Sequence, residues 1–352
     1  MKNKTSLTKD AILKDPYNYT LKEMKDCLGE EMATDFFESL YKNKPKIQNQ
    51  TVKIKEVFNG KDTLKYAFEL SDGYCIETVC IKRKTGITVC VSTMVGCPVG
   101  CIFCASGKNG FIRNLSSSEI VQQIVLLKEK VNRIVFMGMG EPLLNYGEVI
   151  KAIHILRDRD GLNFPTDGIT ISTVGPINQL KKLREEHLKI QLTLSLHATS
   201  QVKRDKVMPH MRGNSIDDVV EAVLSYSERH NRKVTIAYLL IPGFNDGRED
   251  IKQLKKWFFG KNVLINVLQY NETDYVGIKR PNKQQLVQFK RKLEKEGLVV
   301  KLRESRGNNI KAACGQLVSK HNRSKKDDDY IRKNKSFDKK RKPNRRKTKK
   351  RG

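Results

Sequence analysis

The feature that most restricts this chain is a strict alternation of strand-like and helix-like segments from about Gly86 to Ser305. "GITVCVS" reads as a strand and "SSSEIVQQIVLLKEK" as a helix, opened by a capping box of Ser116 and Glu119. "RIVFMG", "GITIST", "IQLTLSLH", "KVTIAYLL" and "VLINVLQY" are further strand-like runs. Each is followed by a segment with helical apolar spacing, and "LVVKLRES" ends the series. Six βα units in succession predict an α/β fold: a parallel sheet with right-handed crossovers and helices outside. Six units suit an open, partial (βα)6 barrel of the TIM type or a doubly wound sheet. In both, ligands gather beyond the C-terminal ends of the strands. The unusual residues fall there: a cysteine loop, "GMGEP", Ser172, "SLH" and Asn271.

The flanks differ in character. Residues 1–48 read as a short helical accessory region, and 49–86 alternate like a small antiparallel sheet. Residues 87–318 form the βα core, and 319–352 a basic tail with little apolar surface to bury, expected to be disordered. The chain has 68 Lys and Arg against 39 Asp and Glu, a net charge of +29. From Lys320 onward there are 17 basic and 4 acidic residues, so the tail carries +13 and the rest +16. Both parts are basic, which favours RNA over a membrane surface as the polyanionic partner. No apolar run has the ~18 residues of a membrane span. The first residues lack an apolar export segment, so a cytoplasmic protein is expected.

There are eight cysteines. Without export, a disulfide framework is not expected, and clustered cysteines point to metal or redox chemistry. Three lie in "GCPVGCIFCASG": Cys97, Cys101 and Cys104, spaced C-x3-C-x2-C. A structural zinc site wants a fourth ligand. Cys90 or a histidine could supply it, but Cys90 lies inside the predicted strand and no second C-x2-C occurs. A [4Fe–4S] cluster with three protein ligands is the stronger reading, because its fourth iron stays open for chemistry.

The motif, placed directly after the first strand of a βα run, resembles that of the radical SAM superfamily. With "GMGEPLLN", "ISTVG", "SLH", "QYN" and "AACGQL", the chain resembles the RlmN/Cfr family of RNA adenosine methyltransferases from about Glu77 to Leu317. The resemblance implies a partial barrel of the radical SAM type, a [4Fe–4S] cluster on Cys97, Cys101 and Cys104, and S-adenosylmethionine on its open iron. It implies that Gly140, Glu141, Ser172, Ser195, Leu196, His197 and Asn271 hold S-adenosylmethionine. Cys314 would be methylated, and the methyl, activated as a radical, would add to an adenine ring carbon. Cys90 would release the product through a transient disulfide with Cys314. Glu77 or the Cys90 thiolate would remove the ring proton. Taken singly, His197 would be an ordinary strand-end histidine, Glu77 a sheet carboxylate, and Cys90 and Cys314 inert thiols. Cys27, Cys75 and Cys80 are read as structural. Further implications are 23S rRNA or tRNA as substrate, an electron donor such as flavodoxin or ferredoxin, and a monomer. Pro142 in "GEPLLN" points to C2 of adenine rather than C8. Met94 stands where the family usually has Gln, "CASG" replaces "CATG", and the N-terminal helical block is shortened. Another radical SAM substrate, or a non-catalytic RNA-binding metal protein, are the competing readings.

Overall fold

The computed structural model describes residues 7–42, 50–108, 110–211, 213, 215–273, 278–317 and 322. Most of the tail, and with it the expectation of disorder there, lies outside the described residues.

Three helices open the chain: α1 (Lys9–Lys14), α2 (Leu21–Leu28) and α3 (Glu30–Tyr41). Ile12, Met24 and Phe37, one from each, are fully buried in the same apolar cluster as the main sheet. The N-terminal helices therefore share the core. The antiparallel strands follow: β1 (Val52–Asn59), β2 (Thr63–Leu70) and β3 (Cys75–Arg83). β3 pairs antiparallel with β4 (Gly86–Cys90), with Val79 opposite Cys90, so the small sheet continues directly into the large one.

After β4 comes a hairpin that the sequence reading missed, β5 (Met94–Gly96) and β6 (Phe111–Asn114). Its two strands bracket the cysteine loop. The alternating series then runs α4 (Ser117–Val125), β7 (Val131–Phe136), α5 (Tyr146–Arg157), β8 (Ile169–Thr173), α6 (Ile177–Glu185) and β9 (Gln191–Ser195). It continues with α7 (Gln201–Val207), α8 (Ile216–His230), β10 (Val234–Leu239), α9 (Arg248–Phe258), β11 (Val263–Leu268), α10 (Lys283–Lys295) and β12 (Val300–Arg303). α7 was not expected, because "QVKRDKV" has no helical apolar stripe.

The sheet order is β1-β2-β3-β4-β7-β8-β9-β10-β11-β12. The strands from β4 and β7 through β12 are parallel and stand in chain order. A doubly wound sheet would reverse its order midway. This one never does, so with one-handed crossovers every helix falls on the same face and the sheet curls into an open barrel. Each helix buries a stripe against that sheet. On α8, Ile216, Val219, Val220, Val223 and Tyr226 face inward at i, i+3, i+4, i+7 spacing. Among the described residues no helix is long and apolar enough to cross a membrane.

α4 begins where the hairpin ends, so its cap also fixes the hairpin. The Ser116 Oγ accepts from the Glu119 N–H at 3.2 Å, and the Glu119 carboxylate accepts from the Ser116 N–H at 2.9 Å. Arg113 of β6 then donates twice to Glu119, both at 2.8 Å. Ser116→Ala should lower the unfolding free energy by about 1 kcal/mol, and Ser116→Thr by less. Urea unfolding of the three proteins checks the order, and an Ala variant as stable as the parent would remove the cap from this account.

Candidate active site

A single cavity opens beyond the C-terminal ends of the parallel strands. Its wall contains Cys97, Cys101 and Cys104, the Gly140–Glu141 turn, Ser172, Ser195 and His197. Asn271, Cys90 and Cys314 complete it. Most residues singled out in the sequence thus converge, because parallel pairing carries the ends of distant strands to one rim. Two do not line it. Leu196 is fully buried in the apolar core, leaving only its backbone near the rim. Glu77 is buried in β3 and ion-paired to Lys65 at 2.9 Å. It lies two residues from Val79, which does line the cavity, on the same strand face.

The cysteine loop is held by backbone contacts. The Cys97 N–H donates to Gly110 O at 3.0 Å, Ile102 N–H to Val207 O at 3.1 Å, and Ala105 N–H to Gly315 O at 2.7 Å. Gly96 has a φ of 76°, and a Cβ there would stand 2.0 Å from Gly110 O, so only glycine lets the hairpin close. Burial pushes the Cys97 thiol up to about 12 and the Cys101 and Cys104 thiols above their ordinary value. Without metal, all three therefore hold protons, which ligation must displace. Among the described residues no three His, Cys, Asp or Glu side chains are grouped so as to hold one metal ion. A single zinc, with bonds of about 2.3 Å, would gather three sulfurs around one point. A cubane spreads them over separate irons, and three thiols from one loop in the wall of one cavity are a donor set that fits it.

The Glu141 carboxylate does not face the cavity as a free acid. It accepts from Thr173 Oγ1 at 2.6 Å, Val174 N–H at 2.8 Å and Leu143 N–H at 3.0 Å. Burial pushes it up to about 7, against those three bonds. Its role is to lock the loop after β7 to the loop after β8. Gly140, with φ at 105°, presents backbone where a Cβ would collide with Met94 at 2.7 Å. Met94 receives the Glu141 N–H on its sulfur at 3.4 Å.

Ser172 and Ser195 stand on adjacent strands with their hydroxyls 3.3 Å apart. The ring of His197 lies edge-on to Phe103 at 4.9 Å, with the backbone at a φ of 54°. Its Nδ1 accepts from the Leu239 N–H at 3.0 Å, and burial lowers the imidazole to about 3, so it is neutral with the proton on Nε2. Asn271 donates to Cys314 O at 3.1 Å, while its own buried Oδ1 has no partner among the described residues. A buried amide oxygen left open at a cavity wall is a ready acceptor for a ligand N–H. Glycine backbone, paired hydroxyls and this open acceptor fit a polar ligand such as S-adenosylmethionine beside the cysteine loop.

The Cys90 thiol, at the end of β4, is pushed up to about 12, first by burial and then by the nearness of Cys314. Cys314 is exposed. All eight cysteines are free, so the structure contains no Cys90–Cys314 disulfide. Cys75 and Cys80 are buried and Cys27 half-buried. Sequence reasoning missed Thr173, Asn245, which donates to His197 O at 2.9 Å, and Arg204. Thr173 adjoins Ser172 in "ISTVG" and could have been found; the other two become significant only through burial.

The Radical SAM superfamily signature matches residues 91–258. A protein of Rhodopseudomonas palustris (strain BisB5) named "Probable RNA methyltransferase" is 50% identical over 258 residues, which are 73% of this chain and 72% of that one. A "Probable dual-specificity RNA methyltransferase RlmN" of Pseudothermotoga lettingae is 43% identical over 275 residues, 77% of this chain and 80% of that one. A crystal structure of a radical SAM methyltransferase from Sphaerobacter thermophilus superposes with a TM-score of 0.81 at 31% identity, covering 86% of this chain and 98% of that one. The chain therefore belongs to the radical SAM superfamily, with its [4Fe–4S] cluster and S-adenosylmethionine, and within it to the RlmN-type RNA methyltransferase family.

Proposed function

We propose that this enzyme methylates C2 of an adenine in 23S rRNA or tRNA through an S-methylated Cys314. The observation that carries the reading is the placement of Cys90 and Cys314 in the wall of one cavity with the three-cysteine loop. Cys97, Cys101 and Cys104 would bind the cluster, and the Gly140–Glu141 turn, Ser172, Ser195, the Leu196 backbone, His197 and Asn271 would seat S-adenosylmethionine. Together these cofactors supply a hydrogen-abstracting radical.

Direct methyl transfer to an electron-poor ring carbon fails, because that carbon is no nucleophile. Cys314, the exposed thiol, first takes a methyl by displacement and then offers it as a carbon radical after loss of one hydrogen atom. That radical adds to the adenine carbon, leaving RNA and enzyme joined through sulfur and one methylene. The ring carbon must then lose its proton. The Cys90 thiol holds its own proton at neutral pH, so the acceptor is assigned to Glu77, freed from Lys65. Cys90 next attacks the Cys314 sulfur. The carbon–sulfur bond breaks, the product methylene takes up the proton that Cys90 sheds, and the odd electron stays on the disulfide until it passes to the electron-transfer protein. The basic charge of the chain supports RNA as substrate, and the tail would bind further phosphates.

Cys97→Ala, Cys101→Ala and Cys104→Ala should each lose the cluster and all turnover. Iron and sulfide analysis after anaerobic purification is the check, and a variant with full iron and activity would overturn the ligand set. Cys314→Ala should yield neither methylated enzyme nor RNA adduct. Cys90→Ala should accept the methyl and then stall as a covalent RNA–Cys314 species that survives denaturation and disappears on nuclease treatment. Glu77→Gln should stall at the same stage, slowed by about 10²–10⁴-fold. Wild-type turnover by Cys90→Ala would remove the two-cysteine mechanism. Finally, truncation after Asn322 keeps the bonds that residue makes to the Cys75 backbone. It should weaken RNA binding and make its salt dependence shallower, by roughly 0.7–0.9 in log–log slope for each phosphate the shortened chain no longer neutralises. An unchanged slope would exclude the tail from the RNA interface.

A further inference from the structure

Arg204, on α7, is 1% exposed and the largest of the fully buried side chains. Its Nη1 donates to Leu196 O at 3.1 Å and its Nη2 to Val174 O. Its buried Nε has no hydrogen-bond partner among the described residues. Among the described residues it forms no salt bridge within 4.0 Å. A guanidinium cannot shed its proton as a lysine can. Burying it without an anion is therefore severely unfavourable, and two carbonyl dipoles offset only part of that. Tying two loops together does not need a full charge, and a neutral amide could donate to one carbonyl at much lower cost. The charge itself calls for an anion that the protein does not supply at contact distance.

The position of Arg204 shows where that anion belongs. The two carbonyls it holds lie in the loops after β8 and β9, which carry Val174 itself and His197 into the cavity wall. The end of α7 is bonded to the cysteine loop, through Ile102 N–H to Val207 O at 3.1 Å. Val207 lies one helical turn beyond Arg204 on the same face of α7, which sets Arg204 next to the Cys101–Ile102 backbone. Neither Asp205, bonded to Gln201 at 2.7 Å, nor Glu141, bonded to Thr173 at 2.6 Å, forms an ion pair with Arg204 among the described residues. On the Cys101–Ile102 segment, Cys101 is the group that becomes an anion when it ligates metal.

We propose that Arg204 is the fixed countercharge of the cysteine-bound cluster, a positioning residue that acts through Cys101 and eases the one-electron reduction that starts each turnover. This rests on the reading of Cys97, Cys101 and Cys104 as the cluster ligands. A cluster with three thiolates is anionic, and the electron from the donor protein makes it more so. A nearby cation locked in a low-dielectric core stabilises the reduced form more than the oxidised form. The same side chain, by holding Val174 and Leu196, keeps the walls of the cavity in place around the charge.

The test is a redox titration followed by electron paramagnetic resonance, on anaerobically reconstituted full-length protein with iron measured on every sample. Arg204→Gln, or Arg204→Met if the amide variant does not fold, should retain iron and shift the reduction equilibrium at least tenfold toward the oxidised cluster. For a one-electron couple that is about 59 mV. Arg204→Lys keeps the charge but cannot span both carbonyls, so its potential should stay within threefold of wild type while its melting temperature falls. The Lys variant decides alone if neither neutral variant folds. A tenfold or larger shift in Arg204→Lys, or wild-type potentials in the neutral variants, overturns the proposal. So does an unchanged potential with weakened S-adenosylmethionine binding, which would assign the charge to that molecule's carboxylate. A wild-type protein that binds no cluster would instead overturn the ligand reading on which the proposal rests.

Discussion

The buried carboxylate of Glu141 is the tie on which the rim of the barrel depends. It gathers the Thr173 hydroxyl and the Val174 and Leu143 amides, and so joins the loops after β7 and β8 into one wall. Arg204 extends that wall by holding Val174 together with Leu196 from the loop after β9. Asn245 carries it further, donating to both His197 O and Leu239 O at the end of β10. Four consecutive strand ends are thus stitched by three buried polar side chains. Most of their polar groups are satisfied, which is the condition under which buried networks rigidify a structure.

Against this wall the cysteine loop is suspended from two sides. Gly110 in its own hairpin holds one end, and Gly315 near the C-terminus of the described core holds the other. The same C-terminal turn carries Cys314, whose carbonyl is held by Asn271. The thiol that would carry the methyl and the thiols that would bind the cluster are therefore positioned by a shared set of backbone bonds. Fixing them together matters for radical chemistry, because a reacting carbon must be held close to the abstracting centre and away from water.

The electrostatics divide the site into two kinds of group. The Cys90, Cys97, Cys101 and Cys104 thiols, Glu141 and His197 are all shifted toward their neutral forms by burial. The cysteine-loop side of the cavity is thus arranged around uncharged groups, while Arg83, Arg303, Glu304 and Arg306 line it elsewhere. An anionic cluster held by the three thiolates would reverse that balance and give Arg204 a partner. Cofactor loading and the order of the rim are then expected to be one process.

Much of this was legible in the residues alone, for reasons that are local. The βα alternation follows from apolar spacing, and the cap at Ser116 and Glu119 from side-chain chemistry three residues apart. The C-x3-C-x2-C spacing lies within one loop, and the basic excess is a matter of counting. The tertiary structure decided what depends on distant segments meeting. Strand order excluded the doubly wound alternative, because only pairing shows that the sequence of strands never reverses. Glu77 and Leu196 were drawn away from the cavity wall, one into an ion pair with Lys65 and the other into the core. Arg204 looks in the sequence like any basic residue on a short polar helix. Its significance comes from complete burial and an unfilled need for a negative charge, and burial is a property of the packed chain that no single segment contains.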